Sequence, residues 1–336
     1  MNYIGSKYSL LEFIESSIIE VVGDENLKNY IFGDLFAGTG VVGGKFRSIG
    51  CKVISNDIQY YSYVLNKHYI QSSKNDVDEI CLEQLNNTDL EEGFIYKNYC
   101  SGSGSGRNYF TDENGKKCDA VRKKIEELYV NKKISEKEYF SYLAGLINSI
   151  DKVANTASVY GAFLKKIKKS ANKEFKLELL NMIEGPVGEV YNEDINVLVR
   201  KISGDILYLD PPYNHRQYSS NYHLLETIAR YDNPEIICKT GLRNTDDGKS
   251  KYCSKKYVLE NFEDLIKNAK FKYIFLSYNN EGLMSIEDVE LIMNKYGAYK
   301  LFQKQYKRFK SDTEENRNIL SDETIEYLHC LIKERE

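Results

Sequence analysis

The chain has 336 residues, 42% hydrophobic and 29% charged, an ordinary composition for a globular protein with one large or two modest domains. No run approaches the roughly 18 apolar residues of a membrane span, and the amino terminus lacks the apolar segment of a signal peptide, so we expect a cytoplasmic protein without a membrane partner. The scattered cysteines and histidines argue against disulfides and a metal site. A net charge of −4 argues only weakly against nucleic acid, because local patches decide binding.

The first predicted elements alternate between strand and helix. Residues 28–40, KNYIFGDLFAGTG, form a short apolar run that breaks at glycines, and residues 41–50, VVGGKFRSIG, continue as a helix start. A second buried strand, CKVISNDI (51–58), ends in Asp57 and precedes a helical pattern over 58–70. This alternation predicts βαβ units and a parallel sheet.

The pattern changes in the middle of the chain. Few strand-like runs occur between about 76 and 185, where helices are predicted over 118–133, 135–154 and 174–183. The SGSGSG segment at 101–106 is predicted to be a flexible linker. Strand patterns return in DILYLDPPY (205–213) and KYIFLSYNN (272–280). We therefore expect an α/β domain made of 1–75 and 190–336, with a helical domain over 76–189.

The glycine-rich turn after the first strand is a candidate nucleoside site. Gly38, Gly40 and Gly43 satisfy the G-x-G-x-x-G pattern, and Asp57 follows about 20 residues later, at the distance of a ribose-binding carboxylate. Glycines here let the backbone pass close to a ligand. This pattern fits a nicotinamide-dependent dehydrogenase as well as any other nucleoside-binding α/β protein, and a purely structural turn also explains it.

A second motif, Asp210-Pro211-Pro212-Tyr213, favours one of these interpretations. Two of only four prolines stiffen a turn at the end of an apolar strand. The Asp210 carboxylate and the Pro211 carbonyl can accept hydrogen bonds from a planar NH₂ group, and Tyr213 can stack on the base. Methyl transfer to adenine N6 needs this positioning and no separate general base, and the base must be flipped out of the duplex. A rigid turn alone explains the prolines but not the flanking Asp and Tyr.

Taken together, these motifs resemble the Dam-like DNA adenine-N6 methyltransferases of type II restriction–modification systems over nearly the whole chain. The resemblance implies a Rossmann-like sheet with a mostly helical target-recognition insertion, S-adenosylmethionine as cofactor, duplex DNA as substrate and a possible cognate endonuclease. The segment Tyr3-Ile4-Gly5-Ser6-Lys7 is similar to the family's amino-terminal cofactor segment, and Lys7 is expected to pair with the cofactor carboxylate. The implied cofactor-binding residues are Tyr3, Lys7, Phe36, Gly38, Gly40, Asp57, Asp194 and Asp210.

The same resemblance assigns DNA recognition to the segment between the two motifs. Basic residues there and near the carboxyl terminus are expected to contact phosphates. The predicted DNA-binding residues are Arg107, Tyr109, Lys165, Lys166, Lys168, Lys169, Tyr278, Asn279, Lys307 and Arg308.

Other functions remain open at this point. Related motifs serve any planar NH₂ group, so methylation of RNA or of a protein amide is one alternative. A non-catalytic S-adenosylmethionine- or DNA-binding module is another, although it has no need for both acceptor and stacking ring. The dehydrogenase interpretation fails because nothing resembling a hydride-transfer site accompanies the glycines.

Overall fold

A computed structural model describes residues 6–244, 248–307 and 323–334, which form two compact units. Within the described residues, the sheet unit comprises 6–58, 183–217, 248–307 and 323–334, and the helical unit comprises 59–182 and 218–244. These bounds differ from the helical domain expected over 76–189, since the helical unit begins at residue 59 and also includes the separate segment 218–244. The second segment belongs to the helical unit through its three-dimensional contacts, which the sequence pattern does not reveal.

The sheet unit is built on seven strands, which confirms the predicted Rossmann-like α/β fold. Their order in the sheet is β3-β2-β1-β4-β7-β9-β8, with the first five parallel and β9 antiparallel to both of its neighbours. Strand numbering follows the chain through both units. The strands are β1 (Ile31–Asp34), β2 (Lys52–Asn56), β3 (Glu189–Tyr191), β4 (Ser203–Leu209), β7 (Lys270–Asn279), β8 (Gly297–Lys307) and β9 (Glu323–Lys333).

The helix start predicted after the first strand is confirmed as α2, and further helices of the sheet unit lie before or after its other strands. The sheet residues Leu207, Ile274 and Leu276 are buried in one core with helix residues such as Phe262 and Leu265. The burial of such apolar side chains is the main stabilising contribution to the unit. The helices are α1 (Leu11–Val22), α2 (Val41–Ser48), α8 (Ile195–Leu198), α11 (Val258–Asn268) and α12 (Ile286–Met293), with 3-10 turns at Tyr8–Leu10 and Lys251–Cys253.

The helical unit has its own core, centred on two long helices; α7 (Glu136–Lys152) lies within the predicted 135–154, whereas α6 (Asp112–Val130) begins six residues before the predicted 118–133. The first of them begins at Thr111, whose side chain accepts the Asn114 N–H, and the second begins with a capping box of Ser135 and Glu138. The helices are α3 (Tyr60–Gln71), α4 (Glu79–Asn86), α5 (Phe94–Tyr99), α6 (Asp112–Val130), α7 (Glu136–Lys152), α9 (Tyr218–Asn221) and α10 (His223–Arg230), with a 3-10 turn at Lys74–Asp76 and a hairpin of β5 (Ile236–Ile237) and β6 (Leu242–Arg243).

The helix predicted over 174–183 is absent, and this prediction is wrong. The segment is irregular, and its side chains alternate, with Phe175 and Leu177 buried and Glu174, Lys176 and Glu178 exposed. Its backbone N–H groups are bound by side chains of the surrounding helices, which replaces the hydrogen bonds of a helix. The acceptors for residues 175, 177 and 178 are Asn114, Asn86 and Ser149, at 2.9, 2.8 and 2.9 Å.

The predicted flexible linker at 101–106 is instead a hydrogen-bonded turn. The Gly102 N–H donates to Asp112 Oδ1 at 2.8 Å, and the Ser103 hydroxyl donates to the Cys100 carbonyl at 2.9 Å. Small residues allow this tight turn, so the composition that resembles a linker here serves a compact loop.

All seven cysteines are free thiols, and six of them are buried. In the described ranges, no helix has the length and apolar character needed to cross a bilayer. The same ranges hold no group of three or more histidine, cysteine or acidic side chains placed to bind a metal.

Candidate active site

Both sequence motifs lie where the strand order of the sheet reverses. The glycine turn follows β1 and Asp210–Tyr213 follows β4, and these two parallel strands are neighbours in the sheet. Ligands of open α/β sheets bind at the carboxyl ends of the strands at such a reversal. The fold therefore brings together two motifs that are about 170 residues apart in the sequence.

The glycine turn is shaped for close approach of a ligand to the backbone. Gly38 and Gly40 have φ values of 51° and 75°, in the left-handed region that favours glycine. The Gly38 N–H donates to Asp57 Oδ2 at 2.8 Å, so the carboxylate after β2 is fixed against the turn after β1. Phe36 lies edge-on to Tyr252, with 5.0 Å between ring centroids.

Asn56, a residue that the sequence analysis missed, ties the ends of three strands together. Its buried side-chain amide donates to the Leu35 carbonyl at 3.2 Å and to the Glu193 carbonyl at 3.1 Å, and its oxygen accepts the Glu193 N–H at 3.0 Å. The nearby Asp194 is exposed and caps α8 by accepting the N–H groups of residues 196 and 197. A polar residue inside an apolar strand was the available signal for Asn56.

Asp34, the last residue of β1, is a buried carboxyl group beside the glycine turn. Its Oδ2 accepts the Gly43 N–H at 2.9 Å, and the side chain is 1% exposed. Burial raises the pKa of Asp34 to about 7, the negative charges of Asp210 and Asp57 add to the rise, and the Gly43 N–H opposes it. Asp34 thus links the end of β1 to the first turn of α2 across the glycine turn.

At the other motif, Lys7 lies between two carboxylates. Its Nζ is 3.0 Å from Asp210 Oδ1, 3.1 Å from Glu326 Oε1 and 5.3 Å from the centre of the Tyr213 ring. We call these four residues the Lys7 cluster. The side chains of Lys7 and Glu326 are only 4% and 2% exposed, whereas that of Asp210 is 17% exposed. Asp210 is thus the charged member that a substrate can reach.

The charges of the Lys7 cluster set the protonation of Asp210. Burial raises the pKa of Asp210 to about 6, the Lys7 ammonium opposes this rise, and the Glu326 carboxylate adds to it. Burial alone would lower the pKa of Lys7, but the charges of Asp210, Tyr213 and Glu326 outweigh it and raise that pKa well above its usual range. Lys7 therefore stays a cation, and Asp210 is ionised above about pH 6.

Tyr213 is held by the segment that follows β7. Its carbonyl accepts the Leu283 N–H at 3.1 Å, and its ring meets the edge of Tyr278, with centroids 6.1 Å apart. The Tyr278 hydroxyl accepts the same Leu283 N–H at 3.0 Å. Gly282 packs directly on the Tyr278 ring, so closely that a Cβ at this position would lie 2.0 Å from a ring atom.

These contacts correct two predicted DNA-binding residues. Tyr278 is 1% and Asn279 7% exposed, and the Asn279 side-chain oxygen accepts the Glu281 N–H. Both side chains are occupied within the sheet unit, so they cannot contact a nucleic acid directly in this conformation. Tyr278 instead supports the Tyr213 ring.

Arg107 and Tyr109 of the helical unit are also structural in this conformation. The Arg107 guanidinium donates to three backbone carbonyls, those of Asn98, Cys238 and Lys239. Tyr109 is fully buried, and its hydroxyl lies 2.7 Å from the Tyr160 carbonyl. Tyr109 therefore cannot contact DNA in this conformation, whereas the half-buried Arg107 has two further N–H donors and stays a predicted contact.

The predicted basic patch contains three exposed lysines. Lys165, Lys166 and Lys169 are exposed on an irregular loop, whereas the Lys168 ammonium donates to the Thr156 carbonyl at 2.6 Å. Burial lowers the pKa of Lys168. Lys307 is the last residue of β8, and its side chain is not among those described. Tyr3, predicted to bind the cofactor, and Arg308, predicted to bind DNA, lie outside the described residues.

Comparison with known proteins identifies the family. The sequence model of the D12 class N6 adenine-specific DNA methyltransferases matches residues 3–292. The chain is 54% identical to the type II methyltransferase M.NlaIII of Neisseria lactamica, with 99% of both chains covered. It is 34% identical to M.CviAII of Paramecium bursaria Chlorella virus 1, with 98% and 97% covered. Against M.FokI of Planomicrobium okeanokoites it is 39% identical and spans 53% of that protein's length. The chain belongs to the D12 class of N6 adenine-specific DNA methyltransferases, which take their methyl group from S-adenosylmethionine.

Proposed function

We propose that the Lys7 cluster carries out methyl transfer to N6 of an adenine flipped out of duplex DNA. The observation that supports this most is the difference in exposure within the cluster. Asp210 and the Tyr213 ring stand at the carboxyl end of β4, and the countercharge of Asp210 is buried behind it. A preorganised, partly desolvated acceptor of this kind favours a specific hydrogen-bonded substrate over water.

The glycine turn fits the cofactor. Gly38 and Gly40 offer backbone without side chains, and the half-buried Asp57 offers a carboxylate to a pair of ribose hydroxyls. We assign Phe36 and Asp194 to the same site, beside the turn and after β3 respectively. When bound, S-adenosylmethionine supplies an electrophilic methyl group on a sulfonium sulfur.

The chain's own residues make the amino group reactive. The lone pair of adenine N6 is delocalised into the ring, so the nitrogen is a poor nucleophile. In our proposal the Asp210 carboxylate and the Pro211 carbonyl accept the two N–H hydrogens, and Pro212 stiffens the turn. This draws the nitrogen toward tetrahedral geometry, while Tyr213 stacks on the base. Lys7 is buried and paired with Asp210 and Glu326, so instead of pairing with the cofactor carboxylate as the resemblance implies, it contributes by keeping Asp210 ionised near neutral pH.

The identity of the methylated unit tests the proposal directly. Purified enzyme is incubated with methyl-labelled S-adenosylmethionine and with genomic duplex DNA, RNA or total protein, and each substrate is then digested. We expect the label as N6-methyladenine in the DNA. Label confined to RNA or to a protein side chain would overturn the proposal.

We further propose that the helical unit binds the target DNA through the loop that carries Lys165, Lys166 and Lys169. Exposed lysines on irregular backbone can follow a phosphate chain and displace its counterions. Recognition of the bases themselves is left to other groups of the unit, since phosphate contacts carry no sequence information. We also propose a cognate endonuclease and a cytoplasmic location, because the relatives are type II methyltransferases of DNA.

Neutralising the lysine loop should weaken DNA binding and spare the cofactor. For Lys165→Gln, Lys166→Gln and Lys169→Gln combined, we expect a weaker duplex Kd and a log–log salt slope shallower by about 0.9 for each phosphate that the loop no longer neutralises. The S-adenosylmethionine Kd should not change. Fluorescence anisotropy with duplex DNA at several salt concentrations measures the slope.

A matched triple variant controls for net charge. Lys123, Lys133 and Lys137 are exposed lysines of the same unit that lie outside the loop. If their replacement by glutamine changes the slope as much as the loop variant does, the loop has no special role.

A further inference from the structure

Glu326 reaches the active-site edge of the sheet from the far end of the chain. It lies near the start of β9, which inserts between β7 and β8 and runs antiparallel to both. In this register Glu326 is the partner of Asn279, at the carboxyl end of β7. An antiparallel strand places its first residues where its parallel neighbours end, so Glu326 joins the motif that follows β4.

The surroundings of Glu326 are unusual for a carboxylate. One oxygen, Oε1, accepts the Ser277 hydroxyl at 2.5 Å and lies 3.1 Å from Lys7 Nζ. The other, Oε2, is buried and has no hydrogen-bond partner among the described residues. Burying an ionised carboxylate is costly unless it is paired, so a fold that needed only stability would do better with an apolar residue here.

Its burial separates Glu326 from the substrate. The side chain is 2% exposed, against 17% for Asp210, and both carboxylates share one ammonium group. A lysine ammonium has three N–H donors, so it can serve both carboxylates at once. Asp210 therefore does not have to hold the lysine by itself.

We propose that Glu326 is a positioning residue for methyl transfer, which holds the Lys7 ammonium beside Asp210 while Ser277 orients the Glu326 carboxylate. With the lysine anchored from behind, Asp210 keeps acceptor capacity for the adenine amino group. This inference rests on the proposed role of Asp210 and adds a partner that neither sequence motif contains.

The charge of Glu326 also affects the acidity of Asp210. The titratable or charged groups around Asp210 are Lys7, Glu326, Asp34, Tyr208 and Tyr213. Glu326 raises the pKa of Asp210, and Lys7 lowers it. Removing the negative charge of Glu326 should therefore lower that pKa. The acidic limb of the kcat/KM profile, which reports the free enzyme, should then move to lower pH.

Two substitutions at this position test the proposal. Glu326→Ala removes the anchor, and we expect kcat to fall between about ten- and a hundredfold, as displaced catalytic groups do, with an unchanged S-adenosylmethionine Kd. Glu326→Gln keeps an oxygen that can accept from Lys7 and Ser277, so kcat should return to within a few fold of wild type. Its acidic limb should lie at lower pH. Glu334→Gln, an exposed carboxylate just after β9, is the control and should match wild type.

Three outcomes would overturn the inference. These are an Ala variant as active as wild type, a Gln variant as impaired as the Ala variant, and an acidic limb that stays in place or moves to higher pH in the Gln variant. If the Glu326→Ala variant does not fold, two measurements still test the inference. These are the pH profile of kcat/KM for Glu326→Gln and the kcat of Ser277→Ala, which we expect to be reduced. Every readout is relative to wild type on DNA, so a wild-type enzyme that methylates another substrate would mark a failure of the proposed function instead.

Discussion

An Asp210→Ala enzyme should bind duplex DNA almost as well as wild type, yet transfer the methyl group about a thousandfold more slowly. The substitution removes one of the two acceptors that we assign to the adenine amino group. It does not strand a buried charge, because Lys7 still has Glu326 at 3.1 Å. The loss should therefore appear in the transfer step, with little effect on folding.

Single-turnover transfer of labelled methyl groups measures the effect, and fluorescence anisotropy measures the affinity for duplex DNA. Asp264→Ala is the matched control, since Asp264 pairs with Arg200 on the surface of the same unit. That variant should transfer at the wild-type rate. An Asp210→Ala rate within tenfold of wild type would mean that Asp210 is not an acceptor for the amino group.

Replacing Lys7 by methionine should affect both stability and catalysis. Asp210 and Glu326 would lose the cation that they share, and breaking a buried ion pair from one side costs about 3–5 kcal/mol. Without the ammonium, the folded-state pKa of both carboxyl groups should rise. A carboxyl group with a raised pKa in the folded state destabilises the protein as pH increases above its unfolded pKa. The stability loss should therefore be larger at pH 8 than at pH 6.

The same substitution should move the acidic limb of kcat/KM from near pH 6 to higher pH, opposite to the expected effect of Glu326→Gln. Urea unfolding at the two pH values and a kinetic pH profile provide the measurements. Lys45→Met is the control, because Lys45 pairs with Glu15 at the surface and such pairs contribute about 0–1 kcal/mol. A Lys7→Met protein as stable as this control at pH 8 would show that the shared cation is unimportant.

The elements that the sequence predicts well are those with local signals. Apolar runs ending in glycine or proline mark β1, β4 and the turns after them, and these turns contain Gly38, Gly40 and Asp210. Connections between consecutive parallel strands are short and right-handed, so these predicted strands are compatible with few topologies. For this reason the Rossmann-like sheet could be predicted. The two motifs lie close together because each follows a parallel strand, and the two strands, β1 and β4, are neighbours in the sheet.

The parts that the sequence does not predict depend on pairing and burial over long distances. Glu326 joins the site only because β9 inserts antiparallel beside β7, and nothing near it in the sequence resembles a catalytic motif. Arg107 and Tyr109 have side chains typical of nucleic-acid contacts, yet both are paired with carbonyls of the helical unit. Burial of a polar side chain leaves no trace in composition.

The irregular segment at 174–178 has a consequence for exchanging the lysine loop between related enzymes. Its backbone depends on side chains from three helices, Asn86, Asn114 and Ser149, and the preceding loop depends on Asn155, whose oxygen accepts the Lys168 N–H at 3.0 Å. This loop, grafted into a relative, would arrive without these acceptors. Transplanting it should therefore succeed only when the scaffold asparagines and serine are carried over with it.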